Sequence, residues 1–284
     1  MKKGYFAFIV FLFCVQNIQS QLRFYLGKPD FDNATVLLTN GQTLVGEVQD
    51  FNSPNAVEID NPFVMTMSAT EELELNLNLD RKKIKFRKSK NDSFRLIPSD
   101  SIDVIQFFDE ELNKKAEFKR LKITKSVNGE IKETNRTLFL PIFKKDLINL
   151  YGYHFYSNGQ YATTIFYLNN PKDNSAISPY DIRFVELFSA RKKFIERIIS
   201  SYKFVSGNCP GFHQWLDEKF YDETDEAVKK EFKQYYNTTR KEIKEGQKNL
   251  KTKEEKKEFE QQKWAEYYIK TFTPAIEKYK ELCK

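Results

Sequence analysis

Three Asn-Gly pairs, each set between runs of β-forming residues, constrain this chain most: Asn40-Gly41, Asn128-Gly129 and Asn158-Gly159. Asn-Gly suits the two-residue type I′ turn, because both central residues need a positive φ and the turn's twist matches that of paired strands. The expected hairpins join 35–39 to 43–49, 121–126 to 131–134 and 151–157 to 161–168. Such signals in succession point to antiparallel sheet.

Alternation adds more strands. Residues 72–80 read ELELNLNLD, with Leu73, Leu75, Leu77 and Leu79 on one face. Residues 83–87 read KIKFR, with Ile84 and Phe86 on one face and Lys83, Lys85 and Arg87 on the other. Period-2 patterning of this kind marks half-buried strands. Folding the two together about Arg81-Lys82 sets Leu79 against Ile84 and Leu77 against Phe86. It also opposes acids and amides to bases, worth a few tenths to about 1 kcal/mol per pair. Pro98-Ser99-Asp100-Ser101 reads as a turn between strands at 94–98 and 104–108. Residues 35–108 are therefore expected to form a small barrel or curled sheet, and 121–186 a second antiparallel sheet. The segment 169–179, NNPKDNSAISP, reads as a loop rich in turn residues.

Near Ser189 the period changes to that of helices. Phe194, Ile195, Ile198 and Ile199 form one stripe, and Cys209-Pro210 restarts a helix with Pro at a favourable first position. Val228, Phe232, Tyr235, Tyr236 and Ile243 follow a helical spacing that ends before Gly246. Thr252 with Glu255 is a capping box for a helix to about Thr271, and Thr273-Pro274 is expected to open the last one. The fold class is α+β: an antiparallel β-rich N-terminal body followed by a C-terminal helical unit. The expected divisions are 1–20 leader, 21–115 small β-barrel-like domain, 116–188 second sheet and 189–284 helical domain.

The leader has the parts of an export signal. Lys2 and Lys3 precede an apolar run of 11 residues, YFAFIVFLFCV, and small Ser20 suits a cleavage position. That run is too short to span a bilayer, which needs about 20 residues, and no later run reaches that length. Removing 1–20 lowers the net charge from +6 to +4 and leaves two cysteines, Cys209 and Cys283. In an oxidising compartment these are expected to form a disulfide. The expected location is the periplasm, the outer-membrane periphery or outside the cell. The small charge excess, lacking a concentrated basic face, argues against a nucleic-acid partner.

Signatures of catalysis are absent from the sequence. GQTLVG at 41–46 lacks the Lys of a phosphate-binding loop, since Glu47 follows it. There is no GxSxG elbow and no HExxH. Cys209, His213 and Asp217 share a helical spacing but make at most three ligands where structural zinc takes four. A Cys209–His154 dyad is weakened by the expected disulfide. Acidic pairs such as Asp109 with Glu110 or Glu111 read as solvated surface. No cofactor, metal site or catalytic residue is expected. The basic run 81–90, RKKIKFRKSK, reads first as a solvated strand face, with Lys83, Lys85 and Arg87 as an anion-binding alternative. The mixed Lys/Glu run 241–260 reads as a soluble helix surface. Trp264, Tyr267, Tyr268 and Phe272 read as core.

Several segments, in order, resemble a group of uncharacterised exported proteins of Bacteroidetes-type bacteria. They are the leader ending Gln-Ser-Gln, TVLLTNGQTLVGEV (35–48), IKFRKS (84–89), LIPSDSIDVIQF (96–107), LFLPIFKKDLINLYGYHF (138–155), and Cys209-Pro210 before helices containing Tyr236-Asn237. The Lys/Glu tail 240–284 departs from the pattern. The resemblance implies envelope location and a β-rich body and carries no activity. The expected function is a non-enzymatic binding or structural module for an envelope protein or surface glycan. The alternatives are a secreted hydrolase with a site assembled from scattered residues and a peripheral binder of anionic lipid.

Overall fold

A computed structural model describes residues 24–25, 31–49, 56–59, 81–109, 114–127, 129–157, 160–179, 190–220 and 233–283. The expected leader and the strand at 72–80 lie outside the described residues. Strands β2 (Phe31–Leu38) and β3 (Thr43–Gln49) form the first hairpin, with Val36 opposite Leu44. Its turn differs from the type I′ expectation. Gly41 lies at φ +83, its N–H donates to the Leu38 carbonyl at 2.9 Å, and the Leu38 N–H donates to the Gln42 carbonyl at 2.8 Å. These bonds close a three-residue loop in which Gly takes the left-handed position. The second hairpin, β8 (Lys114–Val127) with β9 (Glu130–Lys144), closes on Val127 opposite Glu130, with Gly129 at φ +82. The third, β10 (Asn149–Ser157) with β11 (Gln160–Asn169), closes on Ser157 opposite Gln160.

The first sheet curls through β7 (Ile102–Asp109), β2, β3, β5 (Lys83–Arg87) and β6 (Arg95–Pro98). A 3₁₀ turn at Ser99–Ser101 connects β6 to β7. Strand alternation sends Val36, Val48, Ile84, Phe86 and Ile97 into one core, where Phe118 and Phe139 close it. A bulge between Leu37 and Leu38 against β7 lets Ile102 and Ile105, of opposite parity, both face inward. Both lateral positions beside Phe86 are filled, by Val48 and Arg95, which corrects the register expected from alternation.

Strand β8 is shared. Its first half pairs with β7, its second half runs parallel to β12 (Ser175–Ser178), and its other edge takes β9. Because β9 also pairs β10, and β11 pairs β12, strands β8 to β12 close into a five-membered ring. Alternate residues fill it: Leu121, Ile123, Leu138, Leu140, Tyr151, Tyr153, Ile165, Tyr167 and Ala176. The Tyr153 hydroxyl donates to the Phe139 carbonyl. Short β1 (Phe24–Tyr25) and β4 (Ala56–Ile59) extend the sheet beside β10, with β4 parallel to it.

The segment expected as a loop at 169–179 thus contains the closing strand. Asn169 is fully buried, and its amide donates to the carbonyls of Asp173 at 2.9 Å and Ser175 at 2.8 Å. The Lys122 N–H meets the Asn174 carbonyl at 2.9 Å. These bonds turn the chain onto β8, where Ala176 and Ile177 are buried on opposite faces.

The helices cover the outside of the ring. In α1 (Ala190–Ser206), Ile198, Tyr202 and Val205 face it. In α2 (Pro210–Glu218), with Pro at its first position, Phe212 and Leu216 do so. They pack with Leu150, Phe166, Leu168 and Ile177 from the strands. Helix α3 (Lys233–Gly246) pairs with the first half of α4 (Lys253–Leu282) around Ile243, Trp264 and Tyr267. Tyr235 and Tyr236 are exposed on α3. Tyr236 lies over Trp264, ring centres 5.2 Å apart.

The Thr252–Glu255 capping box is formed. The helix it opens does not end near Thr271 but continues through Pro274. Proline removes a backbone donor and crowds the preceding turn. Here Thr271 and Thr273 donate to the carbonyls of Tyr267 and Ile269 at 3.1 and 2.7 Å, and the Tyr202 hydroxyl donates to the Phe272 carbonyl at 3.3 Å. Burial of Phe272, Ala275 and Ile276 against the ring holds the second half in line.

Cys209 and Cys283 form a disulfide across a sequence separation of 74, with Cα atoms 5.8 Å apart. It ties the start of α2 to the end of α4. Replacing both cysteines with Ala is expected to lower stability by about 4 kcal/mol through the freed unfolded chain. Urea unfolding of the native and doubly substituted proteins measures the difference; equal midpoints would exclude a stabilising bridge.

Candidate functional site

The basic strand β5 positions the only sequence-expected ligand-binding residues, and the structure separates their roles. Glu47 and Arg87 are opposite one another in register, and Arg87 Nε donates to the Glu47 carboxylate at 2.5 Å. Gly46 lets this happen: a Cβ there would meet the Arg87 carbonyl at 2.3 Å and the Phe86 ring at 2.7 Å. Arg87 also donates to the Lys90 carbonyl at 3.2 Å, which fixes the hairpin tip. Its charge is thus engaged within the fold. Lys85 lies opposite Leu96, with its ammonium 5.3 Å from the Phe94 ring centre. Lys83, opposite Pro98, is exposed.

Period 2 places Val45 on the same outward face as Glu47, two positions along β3 toward the β5–β6 tip, whereas Lys85 and Leu96 lie on that face in the opposite direction from the Glu47–Arg87 pair. Val45 (69% exposed), Phe94 (53%) and Leu96 (51%) are the most exposed large hydrophobic side chains among the described residues. Scattered exposed apolar residues need no explanation, but a contiguous group rimmed by polar ones marks a contact surface. The hairpin tip between β5 and β6 adds Lys88 and Lys90, both exposed. The tip is held by the Asp92 N–H on the Ser89 carbonyl at 3.0 Å and the Ser89 hydroxyl on the Asp92 carboxylate at 2.7 Å. Sequence reasoning found the lysines by alternation. It missed exposed Val45, and it missed Phe94 and Leu96, whose place beside Lys85 depends on the β5–β6 pairing.

The other candidates are drawn into structural bonds. The Cys209 sulfur is in the disulfide, the His213 ring nitrogen Nε2 is 3.0 Å from the Ser206 hydroxyl, and the Asp217 carboxylate accepts from Lys203 at 2.6 and 2.7 Å. Among the described residues no three His, Cys, Asp or Glu side chains gather as a metal site. Segment 41–46 is hairpin turn and strand, with Gly46 packed on Phe86. Glu110 and Glu111 lie outside the described residues. Trp264, Tyr267 and Phe272 are buried as expected.

His154 is buried, stacked on Phe143 at 4.9 Å, with Nδ1 2.7 Å from the Thr164 hydroxyl. Burial disfavours the imidazolium and pushes its pKa down from 6.5 to about 3. Burial also raises the phenols of Tyr151, Tyr153 and Tyr202. None of these groups is tuned toward proton transfer near neutrality. Comparison with known proteins finds no matching family model, curated protein or solved structure.

The His154 environment has a pH consequence. The folded state favours the neutral ring, so its contribution is fully present above pH 6.5 and is lost as pH falls toward 3. The loss should approach about 1.4 kcal/mol per pH unit inside that window. His154→Phe should flatten the fall in unfolding free energy between pH 6 and pH 4 relative to the native protein, read by urea titration at each pH. Parallel profiles would show that His154 is not the group responsible.

Proposed function

We propose that this protein is an exported, non-enzymatic binding module of the cell envelope, working through the outer face of β3, β5 and β6. The observation that carries the reading is the placing of exposed Phe94 and Leu96 beside Lys83 and Lys85 on one sheet face. Such a face suits a partner that offers negative charge together with apolar contact. A protein or a surface glycan of the envelope is the partner class that the sequence suggests first. The apolar residues give specific weight to an anionic lipid surface as well. The filled interior of the β8–β12 ring supports a binding role over the hydrolase alternative, as does the structural use of His154 and His213.

Export is supported by the order of charged, apolar and small residues in 1–20, and the Cys209–Cys283 bridge fits an oxidising compartment. Among the described residues no helix is long and apolar enough to cross a membrane. N-terminal sequencing of the native protein from fractionated cells should give a start at Gln21 in envelope or extracellular fractions, with no free thiol. Recovery from the cytosol beginning at Met1, with Cys209 and Cys283 reduced, would overturn the reading.

A further inference from the structure

We infer that the partner of the β3–β5–β6 face is an anionic lipid surface, against which the protein lies peripherally. This rests on the reading of that face as the binding element. Two surfaces meet at β6, its lateral edge and its outer face, and the chemistry favours the face. Strand β6 ends the sheet among the described residues. The Ser99 N–H donates to the Lys82 carbonyl at 2.9 Å. Hydrogen-bonding direction alternates along an antiparallel strand, so Ile97 and Arg95 also point to β5, while Leu96 and Pro98 point away. Proline carries no N–H. The edge therefore offers one strand donor, that of Leu96, which is a poor template for an added peptide strand.

The outer face has what a lipid surface takes. Phe94 and Leu96 project beside the hairpin tip, where an aromatic ring and an aliphatic chain can enter the headgroup region. Lys83 and Lys85 flank them, and Lys88 and Lys90 ride on the tip itself. Among the described residues nearby, Glu47 is paired with Arg87, and Asp92, which accepts from the Ser89 hydroxyl, leaves one negative charge against the four lysines. Each lysine near an anionic leaflet contributes about fivefold in affinity, and the attraction falls with salt over a Debye length. Long lysine stems also let the ammonium reach phosphate while the chain lies along apolar groups.

The test uses the mature, oxidised protein with vesicles of phosphatidylcholine alone and with phosphatidylglycerol added. Sedimentation at low salt should bring the protein down with the anionic vesicles only, and added salt should release it. Lys83→Glu with Lys85→Glu should weaken binding by at least about tenfold, and Phe94→Ser with Leu96→Ser should also weaken it, both with unchanged melting temperatures. If a double variant melts early, Lys85→Gln and Leu96→Ser singly provide the comparison. Failure of the native protein to bind anionic vesicles at low salt, or equal binding by folded variants, would overturn the lipid assignment. A photoreactive residue at position 96 in cells separates this from failure of the face itself. Cross-linking to lipid supports both readings, cross-linking to a protein overturns the lipid but keeps the face, and no cross-link with no vesicle binding overturns both.

Discussion

One of the two lateral edges of strand β8 is divided between two partners. The edge bonds to β7 over its first half and to β12 over its second, while β9 runs along the opposite side. A strand residue has only two lateral neighbours, so this division forces the sheet to part. One branch curls into the N-terminal core, and the other closes on itself as the β8–β12 ring. The two cores consequently meet along one hairpin: Phe118 and Phe139 belong to the first, and Leu121, Leu138 and Leu140 fill the second. Side chains of opposite parity on the same two strands serve different interiors. Both faces of these strands therefore carry buried apolar residues where the two cores meet, while Lys122 and Glu133 farther along remain exposed.

This double burial explains what could be read from the sequence. The first sheet has a solvent face, so KIKFR alternates cleanly and its inward and outward sides were legible residue by residue. The stretch LINLYGYHF does not alternate, because Tyr151 and Tyr153 fill the ring while Leu150 meets the helices. The Asn-Gly pairs marked the hairpins, although the detailed turn at Gly41 depended on one hydrogen bond that composition does not encode. Strand β12 was hidden among Pro, Asp and Asn residues. Its existence depends on the buried Asn169 amide and on a parallel neighbour some fifty positions earlier, Ala176 against Ile123. Pro274 misled in the opposite direction. Local propensity would end the helix there, but threonine hydroxyls and the burial of Phe272 and Ile276 outweigh it.

The same contrast applies to the candidate site. Lys83, Lys85 and Arg87 are equivalent in a one-dimensional pattern. In three dimensions Glu47 takes Arg87 into a short ion pair above Gly46, leaving the two lysines to define the character of the face. The apolar half, Phe94 and Leu96, comes from β6 and the turn before it and meets the lysines only through the β5–β6 pairing. The residues with the widest chemical repertoire, His154, His213 and Cys209, are spent on packing and cross-linking.

The C-terminal pairing of α2 with α4 places both ends of a long stretch of chain at one covalent junction. Lys280 reinforces that end by an ion pair with Asp146 at 3.0 Å, anchoring it to the turn between β9 and β10. A protease that cuts any peptide bond between the two half-cystines would leave a nicked but undivided molecule. The α3–α4 hairpin can thus be cut without shedding the helices that cover the ring.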